Sequence, residues 1–213
     1  MRRTDRRATL ILMLKDPVPG RVKTRLGRDI GMVTAAWWFR HQSRRLIREV
    51  QDTRWQTILA LAPDAAATDS RCWPALINRR PQGGGDLGDR MFRALRDAMP
   101  GPTLLIGGDI PGISRRTIAD ALKDLRGHDV VLGPAPDGGF WSVGLSGPTM
   151  PSGIFRNVRW STRHALSDTL DSLTGHRIAL TSSHGDIDSF DDLAPGAIHA
   201  TPLRIRRPIG ATR

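Results

Sequence analysis

Arg21, Lys23 and Arg25 stand at alternate positions in Pro17-Val18-Pro19-Gly20-Arg21-Val22-Lys23-Thr24-Arg25-Leu26, a loop that follows the apolar run Ala8 to Leu14. A buried strand that opens into a Pro/Gly loop carrying several cations is how α/β enzymes receive phosphate groups. The chain has three lysines, Lys15, Lys23 and Lys123, and two of them lie beside or inside this loop. With a formal net charge of +11, a basic surface turn is the competing explanation. The lysine placement favours a nucleotide site that includes Pro19, Gly20, Lys23, Thr24 and Arg25. The loop lacks the Gly-Lys pair and the upstream glycine of a Walker cradle, so a P-loop ATPase is not expected.

Asp109, in Gly107-Gly108-Asp109-Ile110-Pro111, follows the apolar segment Thr103 to Gly107. Ligands of open parallel sheets bind outside the carboxyl ends of the strands, so Asp109 is placed to hold Mg²⁺ or Mn²⁺ against a diphosphate. An Asx turn or helix cap is the alternative. The paired glycines favour the metal role, because they allow a ligand to approach closely. Such an ion needs a second ligand from a remote part of the chain, and Asp188 in Asp186-Ile187-Asp188 is the expected one. Asp191 and Asp192 read as helix-start residues.

Asp137 lies in Gly133-Pro134-Ala135-Pro136-Asp137-Gly138-Gly139-Phe140-Trp141. It either contacts an acceptor hydroxyl, as hydrogen-bond partner or base, or simply forms a hairpin turn. In the first case Gly138 and Gly139 make room, and Phe140 or Trp141 forms an apolar wall. Gly83 to Gly88 formally satisfies G-x-G-x-x-G but does not follow the first strand of a βαβ unit, which argues against a dinucleotide enzyme. A glycine loop before a helix can instead wrap a base or ribose, with Gln82 and Asp86 offering hydrogen bonds. Trp160 shapes a pocket or the core, and Ser161 or Thr162 caps the helix after it. The six histidines show no ligand spacing, and no Ser/His/Asp arrangement is visible.

These residues need a scaffold of alternating strands and helices. Ala8 to Leu14, Thr57 to Ala62, Leu76-Ile77, Thr103 to Gly107, Val130 to Leu132, Phe140 to Leu145 and Arg177 to Thr181 read as strands. Met32 to Val50, Leu87 to Met99, Ser114 to Leu125 (with Ser114 as N-cap) and Thr162 to Leu173 read as helices. Trp37, Trp38, Leu46 and Ile47 are available to face the sheet, with both tryptophans in the core. The expected architecture is α/β, with helices on both faces of a mainly parallel central sheet. One domain spans the 213 residues, with its core at about 8–195 and a basic tail from Pro202 to Arg213.

Composition narrows the function. Hydrophobic content of 39% and charged content of 25% describe a globular chain, and no window approaches the ~20 apolar residues of a membrane helix. The arginine-rich start followed by Ala8 to Leu14 imitates a signal peptide, but the run breaks at Lys15-Asp16-Pro17 without a cleavage site. The lone Cys72 excludes an intramolecular disulfide and fits a reducing cytoplasm. Arginine is dispersed, tyrosine is absent and the aromatics do not alternate with basic residues, so nucleic-acid binding is a minor reading.

Taken together, the motifs resemble a bacterial family of GT-A-type glycosyltransferases of unknown substrate, within the nucleotide-diphospho-sugar transferase superfamily. The matching pieces run in family order over nearly the whole chain, and their combination is specific. They are Lys15-x-Pro17-x-Pro19-Gly20-x-x-Lys23-Thr24-Arg25-Leu26, Gln82 through Gly85-Asp86-Leu87-Gly88-x-Arg90-Met91, Gly107-x-Asp109-x-Pro111, Gly133-Pro134-x-x-Asp137-Gly138-Gly139-Phe140, Trp160-Ser161-Thr162 and Asp186-x-Asp188. Wider relatives include guanylyltransferases of 2-phospholactate and of molybdenum cofactor. The resemblance implies a three-layer α/β/α fold of the nucleotide-diphospho-sugar transferase type. Lys23 and Arg25 would bind phosphates, and Gln82 and Gly85 the nucleoside, with Asp86 and Gly88 in the same motif. Asp109 and Asp188 would hold Mg²⁺ or Mn²⁺, and Asp109, Lys23 and Asp137 would carry catalysis. Asp137, Gly138, Gly139, Phe140 and Trp160 would form the acceptor pocket. The chain departs from the family at Ile110, where a small polar residue or cysteine often precedes the proline, and at Phe140-Trp141, where tyrosine is more usual. The implied partners are a nucleotide or nucleotide-sugar and a small-molecule acceptor. Glycosyl transfer is the first reading, and nucleotidyl transfer to a phosphorylated acceptor the second.

Overall fold

The apolar run after the arginine-rich start forms strand β1 (Ala8–Lys15). Leu10, Leu12 and Leu14 of this strand are buried on one face of the sheet, and Ile11 on the other. Burial on both faces is why the run is continuous rather than alternating. The computed structural model describes residues 7–98, 100–147 and 149–185, so Asp186, Asp188, Asp191, Asp192 and the basic tail lie outside the described residues. After β1 come α1 (Thr24–Ile30), α2 (Met32–Val50), β2 (Trp55–Ala62), α3 (Ala66–Asp69), β3 (Asn78–Pro81) and α4 (Leu87–Ala98). The second half contains β4 (Thr103–Gly107), α5 (Arg115–Asp124), β5 (Val130–Pro134), β6 (Phe140–Leu145), α6 (Ala165–Ser172) and β7 (Ile178–Leu180).

Most elements lie where the sequence pattern puts them, and the differences have local causes. The end of the Pro17–Leu26 loop is already helical, because Lys23 turns into the left-handed region (φ 44°, ψ 49°) and drives Leu26 into the core. The third strand is Asn78–Pro81 rather than Leu76-Ile77. It is an edge strand with no buried residue, paired only with β2, while Leu76 is fully exposed. Trp38 is buried, but Trp37 is 39% exposed and stacks on His41 at 3.8 Å, one helical turn away. Ser114 caps α5 as expected, in a reciprocal capping box with Thr117. Helix α6 begins at Ala165, later than Thr162, and its N-cap is His164 rather than Ser161 or Thr162. Thr162 instead donates its hydroxyl to the Arg159 carbonyl and accepts from the His164 amide.

Among the described residues the sheet has seven strands, in the order β3-β2-β1-β4-β6-β5-β7. All pairings are parallel except the two made by β6, which runs antiparallel between β4 and β5, with Leu105 and Leu132 both opposite Val143. Helices α1, α2 and α5 cover one face through Leu26, Phe39, Ile47 and Ile118. Helices α4 and α6 cover the other through Met91, Leu95, Leu166 and Leu170. The result is the expected three-layer α/β/α arrangement on a mainly parallel sheet. Each fully buried leucine of these layers contributes about 2 kcal/mol. Among the described residues no helix is long and apolar enough to cross a membrane. With β6 reversed, the carboxyl ends of β1 to β5 and of β7 meet at one edge of the sheet.

Candidate functional site

Two of the loops at that edge meet through an ion pair. Gly108 packs so tightly under β1 that a Cβ there would collide with the Leu14 side chain and come within 2.9 Å of the Met13 carbonyl. Only glycine lets the loop after β4 lie this close to the loop after β1. The consequence is that Lys23 Nζ reaches Asp109 Oδ2 at 2.7 Å, with the lysine side chain 5% exposed and the aspartate 24% exposed. Left-handed backbone at a lysine costs roughly 1–3 kcal/mol and tends to occur where function demands it.

This pair borders a cleft of about 680 Å³. Lys15, Arg21, Lys23, Arg25 and Arg90 supply five lining cations against two carboxylates, Asp86 and Asp109, so the cleft suits a polyanion. Thr24, Gln82 and Gly85 also line it. Pro19 and Gly20 form the turn ahead of Lys23, with the Arg21 amide donating to the Val18 carbonyl at 3.0 Å, and they lie outside the lining.

Gln82 is 4% exposed, and its amide nitrogen donates to the carbonyls of Leu14 and Ala60, both at 2.9 Å. Both amide hydrogens are thereby used, which fixes the side chain and leaves Oε1 as the group it can offer a ligand. Asp86 and Asp89 accept from each other's amides at 2.9 and 3.1 Å, so Asp86 caps α4 while lining the cleft. Arg93 donates to the carbonyls of Gln82 and Gly84, and Arg90 to that of Gly85, which clamps the whole glycine loop. Gly88 is buried against Trp160, whose ring would lie 2.7 Å from an added Cβ; this glycine makes room for the tryptophan.

A second compartment of about 520 Å³ adjoins the first, and Arg25, Leu87, Gly107, Asp109 and Ser161 line both. Three aromatic rings, Phe140, Trp141 and Trp160, stand in its walls beside Arg25, Arg163 and two carboxylates. Asp137 and Gly139 line it as part of the β5–β6 turn, where Asp137 Oδ1 accepts the Gly139 amide at 2.9 Å. The turn is thus both an Asp-Gly hairpin and a wall of the compartment. Gly138 (φ 85°) packs against the backbone of Arg163, and the Leu166 amide donates to its carbonyl at 2.9 Å.

Trp160 is held edge-on by Phe155 (5.7 Å) and Phe140 (6.2 Å). Its loop is tied to α6 by Arg159, which binds both oxygens of Asp168 at 2.9 and 2.8 Å. The Arg159 guanidinium holds the Asp168 carboxyl well below the usual carboxylate range. His184 meets Trp141 edge-on at 5.2 Å, and burial pushes its imidazole down, toward the neutral form.

Ser161, Arg163 and His184 are lining residues that the sequence pattern did not single out as pocket residues. Ser161 carried one usable signal, its position after Trp160, but its left-handed backbone (φ 59°) is visible only in the structure. Among the described residues no group of three or more His, Cys, Asp or Glu could hold a metal ion. Asp109 offers a hard oxygen beside the polyanion cleft. That fits Mg²⁺ or Mn²⁺, which bind through one or two carboxylates, substrate phosphates and water.

Residues 46–162 match the family described as an uncharacterized protein conserved in bacteria, DUF2064. No curated protein matches the chain. Among solved structures, the chain is similar to a Desulfovibrio desulfuricans G20 protein provisionally assigned as a nucleotide-diphospho-sugar transferase. They share 25% identity at a TM-score of 0.74, over 86% of this chain and 83% of that one. The fold also matches 4-diphosphocytidyl-2C-methyl-D-erythritol synthase from Anaerococcus prevotii DSM 20548, at 11% identity and a TM-score of 0.55 over 87% of this chain and 94% of that one. Rv0371c from Mycobacterium tuberculosis H37Rv, solved in complex with manganese, matches at 16% identity and a TM-score of 0.50 over 87% and 95%.

Proposed function

The chain belongs to the bacterial DUF2064 family, and from its two joined compartments we propose a metal-dependent transferase that takes a nucleotide-diphospho-sugar and passes the glycosyl group to a small acceptor. The observation that carries this reading is Asp109, which lines both compartments and pairs with the cation of the phosphate loop. The similarity to the Desulfovibrio protein supports the donor class.

In this reading Asp109, with Asp188 as second ligand, would hold Mg²⁺ or Mn²⁺, and the bound ion would offset the negative charge that develops on the diphosphate. Lys23 exchanges Asp109 for a phosphate oxygen, and Arg25 neutralises a second one. Gln82 Oε1 accepts a hydrogen bond from the nucleoside, held in place by its two carbonyl partners. Asp137 keeps Oδ1 on the Gly139 amide and receives the acceptor's hydroxyl proton on Oδ2. Phe140 and Trp160 exclude water from the junction.

A second reading draws on the five lining cations, an excess that suits a triphosphate. There a phosphate oxygen of the acceptor attacks the α-phosphate of a nucleoside triphosphate, and pyrophosphate leaves. The two reactions release different products. Incubation with nucleotide-sugars and with nucleoside triphosphates, each with Mn²⁺ and candidate acceptors, should release nucleoside diphosphate from one sugar donor. Pyrophosphate release instead establishes nucleotidyl transfer, and neither product from any donor contradicts both readings. Asp137→Asn should stop glycosyl transfer but spare nucleotidyl transfer, which needs no hydroxyl deprotonated.

A further inference from the structure

We propose that the acceptor in the aromatic compartment carries an anionic group, a phosphate or carboxylate, on an apolar body, and that Arg163 reads this charge. The inference rests on the transferase reading above and adds the class of its second substrate.

Two carboxylates line this compartment, yet each already has an interaction within the protein. Asp109 meets Lys23 at 2.7 Å, and Asp137 accepts the Gly139 amide at 2.9 Å. Arg163 has more to offer: among the described residues its five guanidinium N–H donors have one polar partner, the His164 ring at 3.4 Å. Its backbone is nonetheless fixed, since Gly138 packs directly on the Arg163 carbonyl and the Gly138 carbonyl accepts the Leu166 amide. The arginine therefore projects from a rigid point on the same wall as the Asp137 turn. A guanidinium matches phosphate and carboxylate in a two-pronged geometry that a hydroxyl does not use.

The rest of the compartment sets the body of the ligand. Phe140 and Trp160 are half-buried rings with centroids 6.2 Å apart at 68°, and the edge of Trp160 is locked over Gly88. A flat or branched apolar group covers such a surface well. His184 stays neutral near pH 7 because burial lowers its pKa, so it adds no charge of its own. A cationic ligand, the other usual guest of an aromatic pocket, would face Arg163 and Arg25.

The test is calorimetric titration of the full chain with phenyl phosphate, benzoate, benzyl alcohol and benzylammonium. Phenyl phosphate or benzoate should bind at least tenfold more tightly than the neutral and cationic probes, and the order of these two tells phosphate from carboxylate. R163Q should weaken the preferred anion about tenfold or more, with R163K between it and wild type. R126Q, which removes an exposed arginine lining a different cleft at the opposite edge of the sheet, should leave binding unchanged. Preference for benzyl alcohol or benzylammonium, no effect of R163Q, or equal weakening by R126Q overturns the proposal, as does failure of both anions to bind. Thermal shift with nucleotides on the same samples separates the two levels of the argument. If nucleotides stabilise wild type and R163Q alike while the anions fail, the acceptor inference falls alone. If no nucleotide stabilises wild type, the transferase reading falls with it.

Discussion

The two compartments share Asp109 but are built in different ways. The basic cleft is assembled from loops that leave the ends of parallel strands, and its polar groups are anchored to one another. Lys23 is held on Asp109, Gln82 on two strand carbonyls, and the glycine loop under Arg90 and Arg93. The aromatic compartment is assembled from a hairpin turn and from the segment leading into α6, where Phe155, Asn157 and Ser161 all have positive φ. Its walls are rings packed on rings, with one arginine lightly held. The polar groups of the basic cleft are thus held in place by protein contacts alone. On the transferase reading, selectivity for the second substrate falls to this side-chain-built wall.

The largest effect is expected at Asp109, a residue common to both compartments. D109N should lower metal-dependent turnover by a factor on the order of 100 or more. Its melting temperature without metal should fall modestly, because the buried Lys23 ammonium then faces a neutral amide oxygen in place of a carboxylate. Unchanged turnover would remove Asp109 from the mechanism. K23M should act on the basic side alone, weakening nucleotide binding about tenfold, the scale of one charge-assisted contact. It should also tighten binding of Mn²⁺ alone, because no ammonium then competes for Asp109. Electron spin resonance of bound manganese measures that effect without any activity assay, and weaker Mn²⁺ binding in K23M would contradict the competition.

W160A should act on the other side, raising the acceptor KM several-fold with nucleotide affinity unaltered in the same titrations. Equal losses for both substrates would mean that the compartments are not separable. The smallest effect concerns acid. Asp168 has a lowered folded-state pKa, so its contribution is fully present above the ordinary carboxylate value of about 4 and is lost as pH falls through the depressed value. Tryptophan emission on descent below pH ~4 should therefore change in wild type and be flatter in D168N, in which Arg159 has no carboxylate partner.

Legibility in the sequence follows the same division. Lys23 and Asp109 could be read because each follows a continuous apolar strand, and such strands in a parallel sheet end at one edge. Gln82 and Asp86 were legible as positions in the cleft but not in their local duties. Two strand carbonyls hold the first, at 68 and 22 residues' separation and so with no short-range signature, whereas the α4 cap that occupies the second is local, in Asp86-x-x-Asp89. Gly88 illustrates the limit well, since its reason is a tryptophan far along the chain. Ser161 and Arg163 were hidden because α6 starts at His164–Ala165, after a left-handed turn that local propensity does not announce. The edge strand β3 was misplaced for a related reason: with no buried face it has no apolar period to read.

The most direct measurement is the thermal stability of wild type and D109N against nucleoside triphosphates and nucleotide-sugars, with Mn²⁺ and then with chelator. If Asp109 anchors a metal beside a nucleotide, one nucleotide class should stabilise wild type by several degrees only when Mn²⁺ is present, and D109N should lose the metal-dependent part. Stabilisation that ignores both chelator and D109N, or no stabilisation by any nucleotide, would contradict that role.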